Sequence, residues 1–185
     1  MATVNQLSSA LKALRKALKE RDIAGMRKLS GSTIRVSAIG DGEDFFYVAL
    51  ASYMLSKIIT KSHYFRQTGR GEFIDKVLDI IDRALVGLEK SRPDIYGRRI
   101  RQIIMEMREL EHGEQRYVHG LEAKARTKLA SDLYAEGFSA GRAAEITGAH
   151  KRDIIQFSGR TLIADRTAQT KKVSERLSHV RSIFK

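Results

Sequence analysis

Cysteine is absent from the 185-residue chain, which excludes a disulfide, a thiolate zinc site and a cysteine nucleophile. Proline occurs once, at Pro93, so the long stretches on either side carry no residue that would break a helix by lacking an amide donor. No apolar run reaches the length needed to cross a bilayer. The basic residues near the N-terminus are mixed through it rather than set ahead of an apolar block, unlike a signal peptide. A cytoplasmic protein with no membrane partner is expected. At this length the chain can bury a core without covalent staples.

Recognisable catalytic chemistry is missing as well. There is no Walker motif and no nucleophile elbow, and Gly40-Asp41-Gly42 and Gly69-Arg70-Gly71 are too short to cradle a phosphate. His112 and His119, near Glu111 and Glu114, would stand two turns apart on an unbroken helix, too far to grip one metal ion, and Gly113 interrupts that helix. The wider arginine-to-histidine spacing of toxin-type helical ribonucleases is not met: three residues separate Arg108 from His112 and two separate Arg116 from His119. No catalytic residue, metal site or cofactor is expected.

What the sequence has in excess is positive charge, +12 overall, and its distribution is uneven. Residues 1–40 hold 8 Lys or Arg against 2 acidic residues, residues 120–185 hold 13 against 7, and residues 41–119 balance at 13 against 13. Basic ends on a neutral middle predict a scaffold flanked by phosphate-attracting segments.

Nearly every apolar pattern has a helical period. Leu7, Leu11, Leu14 and Leu18 predict a helix capped by Thr3 and running to about Lys28, with Lys12, Arg15, Lys16 and Lys19 on its other faces. In residues 31–40, Ser32-Thr33-Ile34-Arg35-Val36-Ser37 alternates over a few positions, and an extended connector is expected. Residues 45–59 are strongly apolar, with Glu43 and Asp44 ahead and Lys57 and Lys61 near the end, as the helix dipole favours; this should be the most buried helix. Residues 61–71 form a basic loop containing Tyr64 and Phe65, a second candidate surface for single-stranded nucleic acid. Further helices are predicted from Phe73 to Leu88, from Asp94 through Leu110 and from Leu121 to Glu136, with Gly137 as a stop. A last helix from about Leu162 carries Val173, Leu177, Val180 and Phe184 as a stripe to be covered by the chain's own core or by a second copy. The expected fold is all-α: a helical bundle with a C-terminal helix-turn-helix unit. The segments are 1–40 (basic helix and connector), 41–119 (neutral scaffold) and 120–185 (helix-turn-helix and terminal helix).

The most specific stretch is SAGRAAEITGAHKRDIIQFS, residues 139–158. Ser139 can cap a helix by accepting a hydrogen bond from an amide that has no partner inside it. Ala144 is small where two steeply crossed helices approach, and Gly148 can take the positive backbone angle of the tight turn between them. Ile154 and Phe157, one turn apart on the second helix, would seal it to the first. His150, Lys151, Arg152 and Gln156 remain for the outer face. Arg152 has the fork geometry to pair with guanine and Gln156 with adenine, while Lys151 can reach a base or a phosphate. Arg142 and Arg160 complete the candidate DNA-binding set.

This stretch resembles the helix-turn-helix of small prokaryotic antitoxin-type and archaeal regulatory proteins. The matching residues are Leu133-Tyr134, Glu136-Gly137, Ser139, Gly141 through Ile146, Gly148, and Gly159-Arg160-Thr161. The resemblance implies DNA binding by a transcription regulator. Ala149 and His150 depart from it by standing where those families usually place a Ser or Thr cap. The expected partner is therefore nucleic acid, DNA ahead of RNA, bound by a homodimer, because two-fold pairing doubles the few base contacts of one recognition helix. Two rival expectations are a basic RNA- or ribosome-associated protein and an antitoxin-like protein whose middle region binds a partner.

Overall fold

The computed structural model of the chain describes residues 2–40, 42–65, 69–112 and 120–161. Among them are eight α-helices: α1 (Ala2–Glu20), α2 (Ile23–Ile39), α3 (Glu43–Ile58), α4 (Arg70–Glu89), α5 (Pro93–His112), α6 (Leu121–Ala135), α7 (Ala140–Thr147) and α8 (Lys151–Thr161). A single 3-10 turn, Ser62–Phe65, lies between α3 and α4, and no strand occurs among the described residues. The all-α class expected from the periodicity is the one observed. No helix among the described residues is long and apolar enough to cross a membrane.

The bundle is built around α3. This helix is apolar on nearly every side, and eleven of its residues from Phe45 to Ile58 are buried, so it needs neighbours all round. It receives α1, α2, α5 and α6. Glu43 and Asp44 occupy its first turn and Lys57 its last, matching the dipole. The leucine stripe of α1 is fully used, since Leu7, Leu11, Leu14 and Leu18 are buried, and α1 packs on α4 as well as on α2 and α3. On its outer side Lys12, Lys16 and Lys19 are exposed, while Arg15 reaches Asp82 of α4 at 2.6 Å. Pro93 is the first residue of α5, where its missing amide costs nothing. One continuous core runs from Leu7 to Ile154.

Three expectations are corrected. Helix α1 begins at Ala2, which places Thr3 inside its first turn rather than ahead of it, and it stops at Glu20 rather than near Lys28. The stop is a Schellman closure: Arg21 adopts φ 54°, its amide bonds the Leu18 carbonyl, and the Asp22 amide bonds the Ala17 carbonyl at 2.8 Å. Asp22 then caps α2 by accepting the Gly25 amide at 2.8 Å.

The predicted extended connector is also helical, forming the C-terminal half of α2. Its inward face, Met26, Ser30, Thr33, Ile34, Ser37 and Ala38, has helical spacing but is half polar. The hydroxyls are satisfied locally or across the contact: Ser30 donates to the Ala49 carbonyl of α3 at 2.8 Å, and Thr33 to the Leu29 carbonyl at 2.7 Å. Small buried residues on both helices (Ser30, Ser37 and Ala38 on α2, Ala49 and Ser52 on α3) let the two lie close together.

Lastly, the aromatics of the basic loop turn inward. Tyr64 is buried and Phe65 packs on Phe73 with ring centroids 5.8 Å apart, so neither offers a free face for base stacking. The terminal stripe of Val173, Leu177, Val180 and Phe184 lies outside the described residues, as do Arg116, His119 and the side chain of His112.

Because α1 is part of the core, Leu14→Ala removes a fully buried side chain and should lower the unfolding free energy by about 2–5 kcal/mol in a urea titration.

Candidate nucleic-acid interface

Helix α6 carries the site. One side of it is buried against α2 and α3 through Leu129 and Leu133, and it also supports α7 and α8. Its start is fixed from α5: the buried Glu111 carboxylate accepts the amides of Gly120 at 3.0 Å and Leu121 at 2.9 Å. A carboxylate at a helix N-terminus satisfies orphan donors and complements the dipole. Its end is a second Schellman closure, in which Gly137 takes φ 101° and the Phe138 amide bonds the Leu133 carbonyl at 3.1 Å. Arg35 of α2 holds the same end through Glu136 at 2.6 Å.

An ion network ties this helix to its neighbours on both sides. Glu122 accepts from Arg108 of α5 at 2.9 Å and from Arg126, one turn along α6, at 2.9 Å. Arg126 also donates to the Thr147 carbonyl at the end of α7 at 2.6 Å and lies over the Phe46 ring of α3 at 5.0 Å. Burial is the largest influence on Glu122 and pushes its pKa up. The hydrogen bonds and charges of Arg108 and Arg126 together outweigh it and hold the carboxyl below its ordinary value, so it stays ionised within the network.

Helix α7 begins as anticipated, with the Ser139 hydroxyl accepting the Arg142 amide at 3.1 Å. It ends at Gly148 in the left-handed region, φ 69°, whose amide bonds the Ala144 carbonyl at 2.8 Å. A Cβ at Gly148 would stand 3.1 Å from Arg126 Nη1, so the absent side chain serves the turn and the network together. Thr147 is buried and closes the turn from inside: its hydroxyl donates to the Ala143 carbonyl at 2.7 Å and accepts the Ala149 amide at 3.3 Å. The small residue completely buried here is Ala143, while Ala144 is half-buried. The steric demand expected at Ala144 therefore falls first on its neighbour.

Helix α8 is anchored by Ile154, which is completely buried, and by a 3.4 Å hydrogen bond from the Ser131 hydroxyl of α6 to the Ile154 carbonyl. Phe157 is half-buried and lies on the α6 side, beside Ala123 and Thr127. It seals α8 to α6 where the sequence suggested α7. The His150 carbonyl accepts the Ile154 amide at 3.1 Å, so His150 starts the helix through its backbone.

The side chains of His150, Lys151, Arg152, Gln156 and Arg160 are all exposed. Lys151, Arg152 and Gln156 make no side-chain ion pair or hydrogen bond among the described residues. Arg152, Gln156 and Arg160 follow one another at four-residue intervals along α8, and Gln156 and Arg160 border the groove between α8 and α6. Lys151 is set off to one side, where its Nζ would lie 3.6 Å from a Cβ on Gly141 in the first turn of α7. Arg142 is placed differently: it pairs with Glu145 within α7 at 3.0 Å.

Reading the sequence alone passed over Ile155, which is 55% exposed on the outer face of α8. The signal was present, since adjacent Ile154 and Ile155 cannot both face inward on a helix. Among the described residues no group of three or more acidic or histidine side chains is placed to hold a metal ion.

No family model, curated protein or solved structure matches this chain.

The turn at Gly148 generates a direct test. Gly148→Ala forces a side chain into the left-handed region against Arg126 and should cost about 1–2 kcal/mol of stability in chemical denaturation. Gly159→Ala, in open space within α8, should be neutral or stabilising.

Proposed function

We propose that this protein is a non-catalytic, sequence-specific DNA-binding regulator that inserts α8 into the major groove and acts as a homodimer. The single observation that carries this reading is the combination on α8 of a locked inner face with an exposed outer face of uncommitted donors. Ile154 fixes the helix to α6, while Arg152 is exposed on the far side and Gln156 is exposed at the rim of the groove between α8 and α6. Those two are the side chains with the geometry to pair bidentately with guanine and adenine. Ile155 beside them offers an apolar contact of the kind a thymine methyl takes. Ser139, Gly148 and the short turn between α7 and α8 support a helix-turn-helix docking, in which the N-terminal residues of the second helix meet base edges. The net charge of +12 supports attraction to a polyanion of either kind. The donor pair on α8 is what favours DNA over RNA.

Selection of binding sites from a random duplex pool, followed by anisotropy titrations, tests the reading. A preferred sequence should emerge, and Arg152→Ala should reduce discrimination at one base position by about 1–3 kcal/mol while leaving non-specific affinity nearly intact. Equal affinity for every duplex, or tighter binding to structured RNA with no effect of Arg152→Ala, would overturn it.

A further inference from the structure

Away from α8, four cations from three helices and one loop come together on the surface. Arg27 of α2, Lys57 in the last turn of α3, Lys61 just beyond it, and Lys128 of α6 stand on three helices that pack on one another, and the charges of the first, third and fourth act on the Lys57 ammonium. Burial first, and this repulsion second, lower the Lys57 pKa. Lys57 lies over the Tyr53 ring at 5.3 Å and Lys61 over Tyr64 at 5.9 Å, so both stems rest on aromatic surface. One carboxylate sits among them, Asp132, which is paired with Lys128. These four cations and Asp132 together carry a net charge of +3.

The negative end of the α3 dipole accounts for Lys57 and Lys61, but it does not account for Arg27 and Lys128 converging on the same spot from other helices. Bringing like charges together is unfavourable, and a bound polyanion offsets that repulsion with its own attraction to each cation. The cluster also connects to α8. Lys124 and Lys128 are one turn apart on α6 and share a face. Lys124 borders a groove of about 280 Å³ whose other wall holds Gln156, Phe157 and Arg160, with Asp153 at its edge.

We propose that Arg27, Lys57, Lys61, Lys128 and Lys124 form a phosphate-binding track that leads from the α8 groove across α6 to the end of α3 and grips the DNA backbone flanking the bases read by α8. This rests on the DNA-binding reading above and extends it. The track carries no base-reading geometry, so it contributes affinity equally to all sequences.

The test is the salt dependence of binding to a mixed-sequence duplex several helical turns long, followed by fluorescence anisotropy. Each phosphate contact contributes about 0.9 to the slope of log affinity against log salt. The double variant Arg27→Gln/Lys61→Gln changes two exposed side chains and should fold as the parent does, checked by its melting curve. Its slope should be flatter by about 2. Preference for a selected site over a scrambled one should be unchanged. The control Lys12→Gln/Lys16→Gln, which removes the same charge from α1, should leave the slope as it was. An unaltered slope in the first variant, or equal flattening in both, overturns the track while leaving the DNA-binding reading in place. A parent protein that binds no duplex overturns both.

Discussion

The Arg126 guanidinium stands where the bundle meets α7 and α8. From one side chain on α6 it pairs with Glu122, covers Phe46 of α3 and donates to the last carbonyl of α7. Each contact alone is modest, because a hydrogen bond to a charged group adds about 1.5–3 kcal/mol at most. Together they fix the position of the turn at Gly148, and the turn sets the direction in which α8 leaves. Glu122 passes the constraint to Arg108 on α5, and Glu111 on the same helix caps the start of α6. The outward face of α8 is thus aimed by residues far from it in sequence.

That arrangement places α6 in two structures at once. Leu129 and Leu133 belong to the core shared with α2 and α3, while Ser131 and Thr127 face α8. A recognition element mounted on a rigid helix holds its side chains more precisely than one mounted on a loop. On the proposed reading this is what the rest of the bundle contributes. The same mounting brings Lys124 and Lys128, on an adjoining face of α6, between the α8 groove and the cations at the end of α3.

The parts of this structure that were legible in the sequence are those governed by local chemistry. Ser139 caps because a hydroxyl ahead of a helix meets a free amide, and Gly148 turns because only glycine takes that backbone angle without cost. The leucines of α1 and the apolar length of α3 declared themselves by spacing and composition. What stayed hidden depended on tertiary contact or on an unusual residue in a standard role. The break between α1 and α2 uses a left-handed arginine, Arg21, where glycine would have announced it. The second half of α2 looked extended because serines occupy its buried face, and Ser30 is satisfied only by a carbonyl on α3. Arg27, Lys57, Lys61 and Lys128 are scattered along the chain and become one surface only when three helices pack. The identity of the buried alanine, Ala143 rather than Ala144, turned on a rotation of α7 that spacing alone does not fix.

The central proposal is that Lys151, Arg152 and Gln156 meet DNA while Ile154 holds their helix to the bundle. It is tested most directly by an NMR titration of the protein with a duplex enriched from a random pool. The proposed reading predicts that the largest perturbations fall on the amides and side chains of residues 150–156, with the α5 surface around Arg98 and Met105 unmoved. Perturbations centred on α5, or none on α8 at saturation, would contradict it.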